Sequence, residues 1–295
     1  MDYFHMVLLK IARFMGALVT DAFQFITLIP AFSPLALNHP HNDFNLARGW
    51  VGVACLEGMN LAELHRSHDQ ANSTWRGREN YQVRTVRSVI AARLRAGEGR
   101  ARVLDVGCAD GYLLAPFCSH HDILGIDVSP QFAPQALKAG FISHQIKDLS
   151  SDPIDAPSQS IDLVFCGQTI EHVIDTDWLL SELNRTLKPG GSIILTTPNV
   201  RSLHSFIRLL LNEPPAFGSK YRSGHVRDWT TRMLRRALEN NGFRVDQARG
   251  VEFWLPGGSD LLSPLTRFFP SLATAMLLTA TKVREGGYQV RAFEN

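Results

Sequence analysis

Two glycines and two carboxylates crowd the stretch Val103-Leu-Asp-Val-Gly-Cys-Ala-Asp-Gly111, directly behind an apolar run. Gly107 and Gly111 permit close backbone approach or positive φ values, and Asp105 and Asp110 flank them. A turn of this kind after a buried strand is a small-ligand site, because open α/β sheets bind ligands beyond the carboxyl ends of their strands. It is not a pyrophosphate cradle. Counting from Gly107, Ala109 and Tyr112 stand where the GxGxxG spacing needs glycine, and no Gly-Lys-Ser/Thr follows to make a phosphate loop. Asp127, in Gly125-Ile-Asp-Val-Ser129, lies 20 residues beyond Gly107. A carboxylate there can accept from both hydroxyls of a ribose. Alone, such an acid is more often a helix cap or a solvated turn; behind a glycine turn at this distance the ribose reading is the stronger one. The cysteines, Cys55, Cys108, Cys118 and Cys166, show no CxxC spacing, which argues against a disulfide framework and a zinc ribbon. The close histidine pairs have no recurring acidic or cysteine partner, so no metal ligands are assigned.

These residues need a scaffold, and the hydrophobic pattern predicts one. Val83, Val86, Ile90 and Leu94 recur at helical spacing over 81–95, with Arg84, Arg87, Arg93 and Arg95 on other faces. That arginine stripe reads as solvated surface. An alternation then follows: a strand over 102–108, a short helix over 112–119, a strand over 122–128, a helix over 130–138 and a strand over 141–149. A fourth strand is expected over 161–168, a helix over 174–187 ended by Lys188-Pro189-Gly190-Gly191, and a fifth strand over 192–197. Alternation of this kind specifies a parallel, doubly wound sheet with helices on both faces. Helices over 202–211 and 230–240 and strands over 243–253 and 275–283 complete the chain, the last two as an antiparallel edge pair.

The 295 residues are 45% apolar and 20% charged, ordinary values for a folded domain, and 30 basic against 28 acidic residues leave a formal charge of only +2. A general polyanion binder would carry a larger basic excess, so no nucleic-acid partner is expected. The segment 7–37 is strongly apolar, but Asp21, Pro30 and Pro34 interrupt it and argue against a spanning helix. It is expected either to pack on the main domain or to make a peripheral membrane or dimer contact. The expected location is cytoplasmic, with membrane association through this segment as the alternative.

Over 101–200, and more weakly to the end, the chain resembles the class I S-adenosylmethionine-dependent methyltransferases. Asp105, Gly107, Ala109 and Gly111 match that family's E/D-x-G-x-G-x-G motif, with Ala in place of the middle Gly, and Asp127 matches its ribose-binding acid. Asp148-Leu149 looks like the pair beside the adenine. Asp162-Leu-Val-Phe-Cys-Gly-Gln-Thr-Ile-Glu-His-Val173 is similar to the fourth-strand motif, and Lys188-Pro-Gly-Gly191 to the turn before strand five. Glu171-His172-Val173, Thr197-Pro-Asn199 and Gly224-His-Val-Arg-Asp-Trp-Thr230 look most like the branch of the ubiquinone-pathway O-methyltransferase and bacterial natural-product or glycan methyltransferases.

The resemblance implies a doubly wound, seven-stranded, mostly parallel Rossmann-like sheet, with residues 1–75 as an N-terminal helical extension, 76–295 as the methyltransferase domain and 200–230 as a lid over the acceptor site. It implies S-adenosylmethionine as methyl donor, held by Asp105, Gly107, Cys108, Ala109, Gly111, Asp127, Val128, Asp148, Leu149 and Gln168. The acceptor is expected to be a small molecule methylated on oxygen, with N-methylation, a protein or RNA methylase, and a non-catalytic membrane-associated assembly protein as alternatives. A hydroxyl acceptor needs a base, and His172 and His225 qualify because imidazole titrates near neutrality. Arg222 and Arg227, beside His225, are candidates to bind an acidic substrate group. Some members of the branch hold a divalent ion near the Glu-His pair, which makes Glu171, His172 and Asp175 a candidate constellation for magnesium; a metal-free pocket floor is the favoured reading.

Overall fold

The structure, a computed structural model, describes residues 79–97, 99–215, 224–253 and 262–286. The expected N-terminal extension, Arg222 and residues 216–223 of the expected lid lie outside the described residues.

Seven strands form one sheet in the order β3-β2-β1-β4-β5-β7-β6. They are β1 (Arg102–Val106), β2 (Asp122–Asp127), β3 (Ser143–Ile146), β4 (Ile161–Gly167), β5 (Leu187–Pro198), β6 (Phe243–Glu252) and β7 (Ala275–Lys282). The first five run parallel, and β7 inserts antiparallel between β5 and β6. The resemblance is thus borne out in its seven strands, and the sequence pattern in its edge pair.

Alternation along each strand feeds two apolar layers. Leu104 and Val106 face one layer with Leu179, Leu180, Leu234 and Leu238. Val103 faces the other with Val86, Ile90, Leu94 and Phe141. The helices that cover the sheet are α1 (Tyr81–Arg95), α2 (Ala133–Lys138), α3 (Thr176–Thr186), α4 (Leu203–Leu210) and α5 (Thr231–Asn240). Four of them start on a polar cap: the side chains of Asn80, Asp175, Ser202 and Thr230 accept from Val83, Trp178, Ser205 and Met233 N–H respectively.

Three local expectations are corrected. The segment 112–119 is not an α-helix but a turn followed by the 3-10 stretch Ala115–Phe117. Pro116 lies inside it and can donate no backbone hydrogen bond. β3 is shorter than the apolar run suggested, because Phe141 N–H closes the end of α2 on Ala136 O and Asp148 folds a turn by accepting from Ser150 N–H. Lys188-Pro189-Gly190-Gly191 does not stand outside the sheet: β5 begins at Leu187, paired with Ile161, and the register shifts before Ser192 pairs with Leu163. Gly190, at φ +74°, permits that irregularity.

Candidate active site at the carboxyl edge

The turn after β1 is tied to β2. Gly107 and Cys108 N–H both donate to Ile126 O, at 2.8 and 3.0 Å, and Ala109 N–H donates to Asp127 Oδ2 at 2.9 Å. Asp127 Oδ1 accepts from Ser129 N–H at 2.9 Å. These bonds aim the carboxylate at the turn. Val128 follows Asp127 and is half-buried.

Both glycines are required by what lies against them. Gly107 has φ +73°, and a Cβ there would fall 2.1 Å from Thr169 Oγ1; Gly111 has φ +76°, and a Cβ there would meet the Phe141 ring at 2.6 Å. Ala109 takes the same left-handed region at φ 46°, where an L-residue is strained by about 1–2 kcal/mol. Asp105 is buried, and burial followed by the charges of Asp127 and Asp110 pushes its carboxyl well above the usual carboxylate range. Asp110 and Asp127 remain as two carboxylates around the turn, a corner suited to a cationic ligand.

A second group gathers beyond β4 and β5. The 3-10 turn Ile170–His172 presents Glu171, which is 2% exposed and accepts the Thr197 hydroxyl at 2.9 Å. Its backbone carbonyl accepts Val226 and Arg227 N–H at 2.9 and 3.3 Å, which clamps the 224–229 segment onto this turn. His225 thereby reaches His172, with ring centroids 4.7 Å apart at 75°. His172 Nδ1 lies 3.1 Å from Gly224 O. A carbonyl can only accept, so Nδ1 carries the proton and Nε2 the lone pair. Burial pushes the Glu171 carboxyl up to about 7, against the lowering effect of its hydrogen bonds.

Gln168 stands at the exposed end of β4, at φ 52°, with its N–H on Thr196 O and its amide nitrogen 3.3 Å from Thr196 Oγ1. Arg227 donates to Thr176 Oγ1 at 2.8 Å and stacks its guanidinium 5.5 Å from the Trp229 ring centre, so its side chain already has protein partners. Asp148 Oδ1 accepts Ser150 N–H, and Leu149 is buried in the core beneath.

The candidate metal constellation changes membership. Asp175 caps α3, accepting from Trp178 N–H at 2.9 Å. His225 takes its place: Glu171, His172 and His225 each offer one ligand atom, all within 4.8 Å of one another. One carboxylate with two imidazoles does not fit magnesium, a hard cation that prefers oxygen ligands, and no step is derived through that ion.

Sequence reasoning missed Thr169, whose side chain dictates Gly107, and gave Glu171 no role beyond a metal or a pocket floor. It also missed Arg87, which is not solvated surface: its guanidinium donates to the carbonyls of Tyr112 and Leu113. The signal for Glu171 in the sequence was an acid among apolar residues, within the Glu171-His172-Val173 motif.

A family model for a methyltransferase domain matches residues 75–248. A Mycolicibacterium smegmatis protein that carries the name "Probable S-adenosylmethionine-dependent methyltransferase" is 28% identical over 176 residues, 59% of this chain and 63% of that protein. The ubiquinone biosynthesis O-methyltransferase of Paracidovorax citrulli is 29% identical over 178 residues, 58% of this chain and 70% of that one. The match to the first of these thus spans less than two thirds of its length. Among solved structures, the cyclase SpnF aligns with a TM-score of 0.50 at 21% identity, covering 67% of this chain and 80% of the other, which shows a shared fold and nothing about chemistry. With the glycine turn, the acid after β2 and the seven-stranded order all in place, the matched family model settles the assignment: the chain belongs to the class I S-adenosylmethionine-dependent methyltransferase family.

Proposed function

We propose that the chain transfers the methyl group of S-adenosylmethionine to a hydroxyl oxygen of a small-molecule acceptor. The observation that carries this reading is the placement, on one carboxyl edge of the sheet, of Asp127 bonded into the glycine turn and of an oriented His172 beside Glu171 and His225.

The donor supplies a methyl group already activated by its sulfonium, so the protein has to align, desolvate and accept a proton. Asp127 receives the ribose hydroxyls. Asp110 and Asp127 favour the positive charge of the donor's sulfonium and amino groups, while Asp105, Cys108, Ala109 and Gly111 shape the turn around it. Val128, with Asp148 and Leu149, borders the adenine. Gln168 approaches the donor from the end of β4.

On the acceptor side, His172 takes the hydroxyl proton at Nε2, because its Nδ1 is engaged with Gly224 O. His225 is the second imidazole within reach, and Glu171, ionised above its pKa of about 7, stabilises the imidazolium once formed. Arg227 presents a guanidinium at the rim for an acidic group of the acceptor, at the cost of its bond to Thr176. Oxygen is favoured over nitrogen by the presence of a base, which a neutral amine does not need. The near-neutral charge balance favours a small acceptor over a nucleic acid. Among the described residues no helix is long and apolar enough to cross a membrane.

The test is a panel of hydroxylated acceptors with radiolabelled donor. Once one is found, His172→Asn should lower kcat by about 100-fold or more while donor affinity, measured calorimetrically, stays within about twofold. Unchanged kcat in that variant would remove His172 as the base.

A further inference from the structure

The segment that follows the glycine turn leaves its carbonyls in an unusual position. If 112–117 were α-helical, Tyr112 O would accept from residue 116 and Leu113 O from residue 117. Residue 116 is proline, with no N–H, and Phe117 N–H donates instead to Leu114 O at 2.9 Å. A partly buried carbonyl without a donor is costly. Arg87, on α1, supplies what is missing: Nη2 donates to Tyr112 O at 2.9 Å and Nε to Leu113 O at 3.1 Å. Its guanidinium also lies 4.7 Å from the centre of the Tyr112 ring and pairs with Glu79, and its side chain is 18% exposed. The planar fork of arginine matches two successive carbonyls in a way that a point charge does not.

The neighbouring bonds show what this fixes. Gly111 N–H donates to Cys108 O, Ala115 N–H returns to Gly111 O, and Tyr112 N–H is taken by Asp110 Oδ1. Gly111 is therefore held between the turn on one side and the Arg87-bound segment on the other. We propose that Arg87 is a positioning residue of the methyl-donor site: by taking the carbonyl of Tyr112, which Pro116 leaves without a helical donor, and that of Leu113, whose helical donor Phe117 N–H turns to Leu114 O, it fixes the 110–114 segment and with it the shape of the glycine turn. The inference rests on the assignment of that turn to the donor, and goes beyond it in naming a residue from a helix outside the motif.

The experiment uses the full chain and S-adenosylhomocysteine as calorimetric probe, well below the melting temperature, in the wild type, Arg87→Met, Arg87→Lys, Arg87→Met/Pro116→Ala and Arg95→Met. Arg95→Met removes a charge from the same helix and controls for charge alone. Arg87→Met is expected to weaken binding by about tenfold or more, since two charge-assisted bonds are lost, with Arg87→Lys intermediate and Arg95→Met unchanged. Pro116→Ala restores a backbone donor for Tyr112 O and is expected to recover part of the lost affinity in the Arg87→Met background. Wild-type affinity in a folded Arg87→Met protein would overturn the proposal, as would an affinity loss that Pro116→Ala leaves untouched. A wild type that binds no probe would instead overturn the donor assignment.

Discussion

Asp127 and Glu171 are both carboxyl groups at strand ends, yet their surroundings give them opposite chemistry. Asp127 accepts two backbone N–H groups and faces the glycine turn; removing it takes away the acceptor proposed for both ribose hydroxyls. Hydrogen bonds to a charged partner contribute about 1.5–3 kcal/mol each, so Asp127→Ala is expected to weaken S-adenosylmethionine binding by about 100-fold in a calorimetric titration. An unchanged dissociation constant would refute the ribose assignment. Glu171 is buried, and its pKa is raised from 4.5 to about 7. The folded protein therefore holds a proton that the unfolded chain releases between those values, and the associated stability, full below the unfolded pKa, is lost as pH rises through the folded one. Glu171→Gln keeps the neutral shape and escapes that loss. Its denaturant-measured advantage over the wild type should grow by about 3 kcal/mol from pH 4.5 to pH 8; an advantage that does not change with pH would contradict the raised pKa. At this scale the glycine turn and its tie to Asp127, proposed here as the donor half of the site, were legible because their signals are local: two glycines, three acids and their spacing. The acceptor half was legible only as separate residues, since His172 and His225 meet through backbone bonds from Glu171 O to Val226 and Arg227 that no spacing announces.

Elements position those residues through contacts between strand ends. Thr169, just past β4, sits against Gly107 with its hydroxyl 3.1 Å from Val106 O. Gly107→Ala is expected to destabilise by about 2–4 kcal/mol, combining an overpacked contact with an L-residue at positive φ. Adding Thr169→Ala should restore the packing share and leave the backbone share, measured as a partial recovery of melting temperature; no recovery would mean that Thr169 is not what Gly107 accommodates. The missing helix at 112–119 was not legible in the sequence, although Pro116 was visible, because the partner that satisfies the broken carbonyls comes from α1. The start of β5 was misplaced for a related reason: Lys188-Pro189-Gly190-Gly191 has turn composition, but pairing with β4 across a register shift draws it into the sheet.

Across the whole molecule, the alternation of predicted strands and helices specifies five parallel strands and an edge pair, and the structure assembles them into one seven-stranded sheet. The insertion of β7 between β5 and β6 follows from non-local pairing, as with Ser192 to Thr281 and Phe243 to Lys282, which hydrophobic pattern alone does not order. The fold in turn leaves the chemistry open, as the shared architecture with a cyclase demonstrates. One edge of that sheet carries both an acidic turn and a Glu-His-His cluster. Calorimetric titration of the full chain with S-adenosylmethionine tests that account most directly. Saturable binding at one site per chain, weakened by Asp127→Ala, is the predicted result; absence of binding by folded wild-type protein would contradict it.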